Sequence, residues 1–417
     1  MPTDPADNPP TQHEPAAFPS IKRQFFAAFF VVGAVQPFLP VWLDERGFGR
    51  EAIGRIGALP GLAVLVAPVL LTLLADTRWS NRRTLGLLFV LGAAALGGML
   101  GAYGLVAVAA VYLAYSLVST PLPSLQDGMY FAASQPSEAG SKAAPGYHIV
   151  RMWGTLGFIA AALSITPMLY LGFGINVAIW AGVIGSLVGA VNAWTLPRPE
   201  DRKRQEATAV PRPGGRVPTL RALRACGKPP LLMFMSGMFL VQAAVGSYYS
   251  FFALYLTQLL GLDKLWVGPI VNIGVVLEVA FLFGFGWMVR TFGVRRLMLV
   301  SLLITCLRFG LLWIWVDLWL LMGLQVIHGF MVLLVHVLPP IYLNRFAEPA
   351  FRNSIQGVYA MIAMGVGRFV GSWVSGDIAA SDAGLNGMFG VSAAVMLVGG
   401  LMVVSVLRND EGAPGGT

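Results

Sequence analysis

Apolar residues run in long blocks along the chain, with short polar breaks between them. Twelve blocks stand out: 22–43, 51–74, 84–102, 105–131, 149–171, 174–195, 230–258, 266–289, 296–316, 319–343, 354–376 and 385–407. A helix crosses the hydrocarbon layer with about 20 residues. Helices are expected because lipid offers no partner to an unpaired backbone group. Pro37 and Pro40, Pro60 and Pro68, Pro121 and Pro123, and Pro339 and Pro340 interrupt the blocks and are expected to mark bends. Residues 1–20 are polar and proline-rich. They lack the basic-then-apolar order of a cleaved signal, so they read as a solvated tail. The longest polar stretch, 196–229, is rich in arginine and divides the blocks six and six. It predicts an N-terminal half over 1–196, a cytoplasmic linker over 197–229 and a C-terminal half over 230–417.

Composition narrows the class. Hydrophobic residues make up 56% of the 417 and charged residues only 12%, with a mean hydropathy of +0.71. Soluble domains carry about 25% charge. A soluble enzyme, a disordered chain and a secreted disulfide scaffold are therefore excluded. Two cysteines, Cys226 and Cys306, give neither a disulfide framework nor a zinc site. No metal and no cofactor is expected. The net charge of +8 reads as loop charge of a membrane protein and not as a nucleic-acid surface. Only Arg46, Arg50 and Lys264 fall in loops on one side. Arg55, Arg151, Arg308 and Arg368 fall inside apolar blocks. Every other Lys and Arg lies on the side that carries both termini. That bias puts both termini in the cytoplasm and the chain, many times over, across the inner membrane.

The halves also repeat. Gly47, Gly54, Ile56 and Arg82 match Gly261, Gly268, Ile270 and Arg296 at an offset of 214; Pro123, Arg151 and Gly154 match Pro340, Arg368 and Gly371 at an offset of 217. The fold class expected is an all-α membrane protein of twelve transmembrane helices in two parallel six-helix repeats. That is the plan of a rocking secondary transporter with its site between the halves.

Ionisable groups in mid-membrane cost at least about 2.5–3.5 kcal/mol, so they pair or face a wet cavity. At 1.5 Å per residue Glu278 lies about 18 Å below the outer end of the eighth block, Arg308 about 12 Å down the ninth and His328 about 14 Å down the tenth. Matched depth predicts a carboxylate–guanidinium–imidazole cluster. It serves either as a proton and substrate relay or as a static buried ion pair. His336, eight residues beyond His328, extends the relay or simply packs. Asp127 and Arg151, nearer the cytoplasm, bind substrate, close an inner gate or form a static pair. Arg368 is the repeat mate of Arg151 and lacks an acid partner other than Glu278 or a substrate anion. Asp76, Arg78, Arg82 and Arg83, with Arg290, Arg295 and Arg296 in the equivalent loop, are a candidate cytoplasmic gate or plain loop charge. Trp42, Tyr112, Tyr115, Trp153, Tyr248, Tyr249 and Tyr359 are candidates for stacking on a ring-shaped solute. No phosphate loop, paired-histidine zinc helix or nucleophile elbow occurs, so no enzyme is indicated and transport must draw on a gradient.

Residues 147–158, YHIVRMWGTLGF, resemble the stretch that opens helix five in the phenylpropionate, nucleoside and lactose permease branches of the major facilitator superfamily. The loop ADTRWSNRR is similar to the superfamily's Asp-Arg-rich signature, with Thr72 where glycine is usual. Glu278, Arg308 and His328 stand in register with the family's helix-eight acid, helix-nine arginine and helix-ten histidine. The resemblance implies that Arg151, Arg308 and His328 serve binding and coupling, with Asp127 one residue off the family spacing. Met331 stands where the lactose permease has its proton-carrying acid. The resemblance therefore implies Glu278 or Asp127 as the proton carrier. Proton coupling is thus assigned to Glu278, His328 and Asp127, and solute binding to Arg151, Arg308, His328, Trp153, Arg368 and His336. The expected partners are a small organic solute, a proton and the lipid bilayer, with the chain as a monomer. An aromatic carboxylate and a sugar or nucleoside remain open as solutes. A drug/proton antiporter and a non-transporting sensor of the same fold are the rivals.

Overall fold

The computed structural model describes residues 17–76, 80–134, 144–197, 227–344 and 352–409, and of 67–76, 352–354 and 408–409 the backbone only. Most of the expected linker, nearly all of the N-terminal tail, Arg78 and the side chain of Asp76 lie outside the described residues. The apolar blocks fold as helices: α1 (Phe18–Glu45), α2 (Arg50–Asp76), α3 (Asn81–Gly101), α4 (Gly104–Ala133), α5 (Tyr147–Tyr170), α6 (Asn176–Ala193), α7 (Pro229–Leu259), α8 (Val267–Ile314), α9 (Leu318–Val326, continued by His328–Leu343), α10 (Ile355–Ala380) and α11 (Gly384–Leu407). No strand occurs among the described residues. Nine of the described helices are long and apolar enough to cross a membrane, or ten with the bent α9 as one span.

Local chemistry sets the ends. The Ser80 hydroxyl accepts from the Arg83 amide and starts α3, and the Asp317 carboxylate accepts from the Leu320 amide at 2.8 Å and starts α9. Pro37 lies in a break in α1 between Val35 and Leu39, and Pro40 in the first turn after it. Pro121 lies in a break in α4 between Ser119 and Leu122, and Pro123 in the first turn after it. The helix α2, by contrast, runs unbroken through Pro60 and Pro68. Membrane helices tolerate proline where neighbours cover the freed groups. The eighth and ninth apolar blocks form two helices that meet directly at Gly293 with no intervening loop, and α8 denotes both. Its backbone turns at Gly293, whose φ of 75° only glycine adopts without strain.

The two halves meet through α2 against α10 and α5 against α8. Small residues let the backbones touch. A Cβ on Gly54 would lie 2.6 Å from the Gly376 Cα and 2.7 Å from the Ser372 carbonyl oxygen. One on Gly61 would lie 2.6 Å from the Gly365 carbonyl oxygen, and one on Gly268 2.8 Å from the Ala162 carbonyl oxygen. Polar links follow the same seam. Arg50 donates to Gln258 Oε1 at 2.8 Å and to the Ala379 carbonyl at 2.9 Å. Gln258 donates to Asp44 at 2.8 Å, and Lys264 pairs with Glu45 at 2.5 Å. Asn272 donates to the Ile159 carbonyl and Thr166 to that of Leu265.

These contacts run from one end of the bundle to about its middle. That end is where α1 turns into α2 and α7 into α8. One continuous core crosses both halves. A second, built on Phe18, Phe25, Leu85, Tyr130 and Val150, stays within the N-terminal half at the other end. We call the first the closed end and the second the open end.

Candidate functional site

Between the halves lies a cavity of ≈ 330 Å³. Its N-terminal wall carries Gln36, Tyr112, Tyr115, Ser116 and Thr120; its C-terminal wall carries Tyr249, Ser250, Met364, Arg368 and Ser372. Tyr112 and Tyr115 stack with centroids 5.9 Å apart. A cavity walled by both halves is the place where a rocking motion would change access.

Two arginine clusters sit on the C-terminal side, and each has the same makeup. Arg308 is 1% exposed. Its Nη1 donates to the Leu324 carbonyl at 2.9 Å and contacts His328 Nδ1 at 3.4 Å; its Nη2 donates to the Tyr248 hydroxyl at 3.0 Å and to Gln325 Oε1 at 2.8 Å. A guanidinium only donates, so the His328 Nδ1 lone pair accepts and the ring proton sits on Nε2. Arg368 donates from Nε to Gln242 Oε1 at 2.9 Å, meets His336 Nε2 at 3.2 Å and lies over the Tyr249 ring at 5.2 Å. His336 therefore accepts as well. Tyr248 and Tyr249 join the clusters, with rings 5.8 Å apart.

The depth match brings Arg308 and His328 together but not Glu278. Every hydrogen-bond partner of Arg308 is neutral. Glu278 is half-buried on α8 and makes no hydrogen bond or ion pair among the described residues. The guanidinium that acts on it electrostatically is Arg151, from the other half. Equal depth fixes a height in the membrane, not the direction in which a side chain leaves its helix. Arg308 and His328 are sealed within the C-terminal half and do not line the cavity, whereas Arg368 does.

Asp127 and Arg151 are bridged, not directly paired. The Tyr147 hydroxyl donates to Asp127 Oδ1 at 2.7 Å. Tyr147 stands one helical turn before Arg151, which acts on it in turn. The Arg151 guanidinium lies 4.0 Å from the Phe29 ring centroid. Trp153, expected to bind solute, is not among the residues that line the cavity. It lies about 200° around α5 from Arg151. It belongs to the exposed stripe of Ile149, Leu156 and Leu163, the face presented to lipid. Trp42 is likewise no cavity residue: it is fully buried and donates to Asn176 at 2.8 Å.

At the open end Arg82, Arg83, Arg290 and Arg296 are half-buried or exposed, while Asp76's side chain and Arg78 lie outside the described residues. The inter-half links that the structure does show are at the closed end. Sequence reasoning missed Tyr147, Gln242, Gln325 and this seam. The four-residue spacing of Tyr147 and Arg151 was one available signal. The rarity of glutamine inside apolar spans was another, since a buried amide must find partners.

Residues 18–389 match the model of the MFS_1 like family. The chain is 28% identical over 353 residues to the "Probable 3-phenylpropionic acid transporter" of Escherichia coli (strain K12), covering 82% of this chain and 86% of that one. It is 27% identical over 374 residues to the "Maltose permease" of Geobacillus stearothermophilus, covering 84% and 85%. The crystal structure of the nucleoside transporter NupG superposes with a TM-score of 0.80 at 20% identity, over 95% of this chain and 100% of that one, a likeness of fold. The chain belongs to the MFS_1 like family of the major facilitator transporters, and it is a multi-pass permease of the inner membrane and not an enzyme.

Proposed function

We propose that this chain is a proton symporter that moves a small organic solute across the inner membrane by alternating access. The observation that carries this is Glu278: a half-buried carboxylate with no hydrogen bond among the described residues, set against Arg151 of the opposite half. A carboxylate placed so answers protonation by changing an attraction between halves. His328 and His336 are poorer carriers, since protonating either would cost the hydrogen bond that its arginine donates.

The architecture follows the same proposal. Twelve crossings result if α2 spans, α8 counts twice about Gly293 and α9 once. The halves are 1–196 and 230–417, joined by 197–229, with both termini cytoplasmic as the basic loops indicate. The closed end is then the outer face, and the conformation is open inward. The chain works as a monomer, because one six-plus-six bundle already encloses the cavity.

In the cycle, the outer seam parts and Glu278 takes a proton from outside. Its hold on Arg151 relaxes, and solute enters between the tyrosine wall and Arg368. Closure re-forms the Arg50–Gln258–Asp44 and Lys264–Glu45 links. Inward opening exposes Glu278 to the cytoplasm, and it releases its proton. Asp127 and Tyr147 orient Arg151 for its part. Arg82, Arg83, Arg290 and Arg296, with Asp76 and Arg78, close the cytoplasmic end in the outward state. The relatives' names span an aromatic acid and a disaccharide, and either is a small organic solute.

Glu278→Gln tests the coupling. In proteoliposomes it should still exchange labelled solute for unlabelled solute at equal concentration, yet fail to accumulate it under an inward proton gradient. Accumulation at the wild-type level would remove Glu278 as the coupling site.

A further inference from the structure

We propose that the transported solute is a small aromatic carboxylate, recognised by Arg368 as its anion receptor and by the Tyr112–Tyr115 wall as its ring site. This rests on the transporter reading above and names the chemistry of its cavity.

Three observations point there. Arg368 is a charged residue of the cavity wall, and among the described residues no carboxylate lines the cavity with it. Among the described residues Arg368 has no ion pair. The ion pairs found there are Arg55 with Glu51 and Lys264 with Glu45, both away from it. A guanidinium facing a cavity with no ion-pair partner among the described residues favours an anion.

The guanidinium is also held in place. Gln242 is 0% exposed, and its own amide nitrogen is fixed by the Val335 carbonyl at 2.9 Å. That orients Oε1 onto Arg368 Nε at 2.9 Å. His336 Nε2 accepts from Nη2, and the guanidinium lies over the Tyr249 ring. Nη1 makes no hydrogen bond among the described residues. One edge of the fork is thus committed while the other keeps donors free, as planar recognition of a carboxylate requires. Arg308 is the internal contrast. Both of its terminal nitrogens are occupied, it is buried, and it does not reach the cavity.

The opposite wall supplies the ring site. Tyr112 and Tyr115 lie in a stacked pair on α4 and face the cavity. Two largely buried rings on one wall of a cavity favour a flat apolar body. The volume of ≈ 330 Å³ is at the small end of ligand pockets, which run from about 300 to 1,000 Å³. It suits one ring with a short acid arm better than two linked sugars. Hydroxyls do line the cavity, but those of Ser116, Ser119, Thr120, Ser250 and Ser372 already donate within the protein, and apolar Val32, Leu39, Pro60, Val64 and Met364 share the wall.

The test is titration calorimetry on the purified full chain in nanodiscs. The probes are 3-phenylpropionate, its neutral amide, 3-cyclohexylpropionate, uridine and maltose. We expect 3-phenylpropionate to bind, the amide about 10- to 100-fold more weakly as charge-assisted hydrogen bonds are lost, and the cyclohexyl acid more weakly than the phenyl acid. Arg368→Gln should erase the preference for acid over amide while leaving the amide's own affinity in place. Arg368→Lys should restore part of the preference, and Tyr115→Leu should reduce the preference for phenyl over cyclohexyl. Equal binding of acid and amide would overturn the proposal on the wild-type chain alone, whether or not a variant folds. So would uridine or maltose binding where the acids do not, or no binding of the acids at millimolar concentration. In the uridine or maltose case proton-linked uptake of that solute would leave the symporter reading standing. Acid binding without proton-linked uptake would instead sink the symporter reading and spare this one.

Discussion

Gly54 is the most sensitive point of the seam between the halves. An alanine there puts a methyl carbon 2.6 Å from the Gly376 Cα and 2.7 Å from the Ser372 carbonyl oxygen, where ordinary contacts begin at 3.4 Å. Both obstacles are backbone, so no side chain can swing away. The helices α2 and α10 must part by nearly an ångström, and overpacking of this kind costs about 1–3 kcal/mol. On the alternating-access proposal the seam exists only in the conformation closed at this end. The cost therefore falls on that state, and the equilibrium should move about 5- to 150-fold toward opening. Spin labels at Tyr103 and Asp382, both exposed at the closed end on opposite halves, would read the change by double electron–electron resonance once Cys226 and Cys306 are replaced by serine. Gly54→Ala should add population at longer distance. The reciprocal Gly376→Ala, whose Cβ would lie 2.9 Å from the Gly54 Cα, should do the same. Unchanged distance distributions in both variants would refute the reasoning, because two backbones in contact cannot accept a methyl group without moving.

Other outcomes follow from the same geometry. Lys264→Gln removes an exposed pair worth at most about 1 kcal/mol; the label distances should broaden slightly, and high salt should mimic the variant in the wild type. Trp153→Leu should leave uptake within about twofold, whereas Arg151→Gln, which removes the charge facing Glu278, should abolish proton-driven accumulation; the lipid-face assignment would be wrong if Trp153→Leu were as damaging. Arg46 closes the end of α3 by donating to the carbonyls of Met99, Leu100 and Ala102 at 2.8–3.1 Å. Arg46→Ala should lower the thermal midpoint by an amount matching about 1.5–3 kcal/mol while solute affinity in the folded fraction is unchanged. Tyr147→Phe should weaken uptake less than Asp127→Asn if the hydroxyl serves only to position Arg151.

The fold was legible because lipid leaves little choice. A run of some twenty apolar residues has one way to satisfy its backbone, so the blocks foretold where helices lie to within a few residues. The exceptions are local. Gly293 turns the chain with so few residues that helical hydrogen bonding carries on either side of it. The helix α2 absorbs Pro60 and Pro68 without a break. The site was legible in its parts and not in its pairing. Depth arithmetic gathered Glu278, Arg308 and His328 at one height, yet side-chain direction separates Glu278 from the other two. Trp153 shows the same failing: a ring two residues from Arg151 is on the far face of the helix. Gln242 and Gln325 escaped notice because an amide carries no charge to flag. Their roles depend on what lies opposite, and sequence order does not say which helices will be neighbours.

The central claim is that Glu278 exchanges a proton as the transporter works. Infrared difference spectroscopy on the chain in lipid films, perfused between neutral and acidic buffer, reads this directly. We expect a protonated-carboxyl C=O band to grow on acidification in the wild type and to be missing from Glu278→Gln, with Asp127→Asn leaving it in place. The same band surviving in Glu278→Gln, or no band in the wild type at any pH that supports uptake, would contradict it.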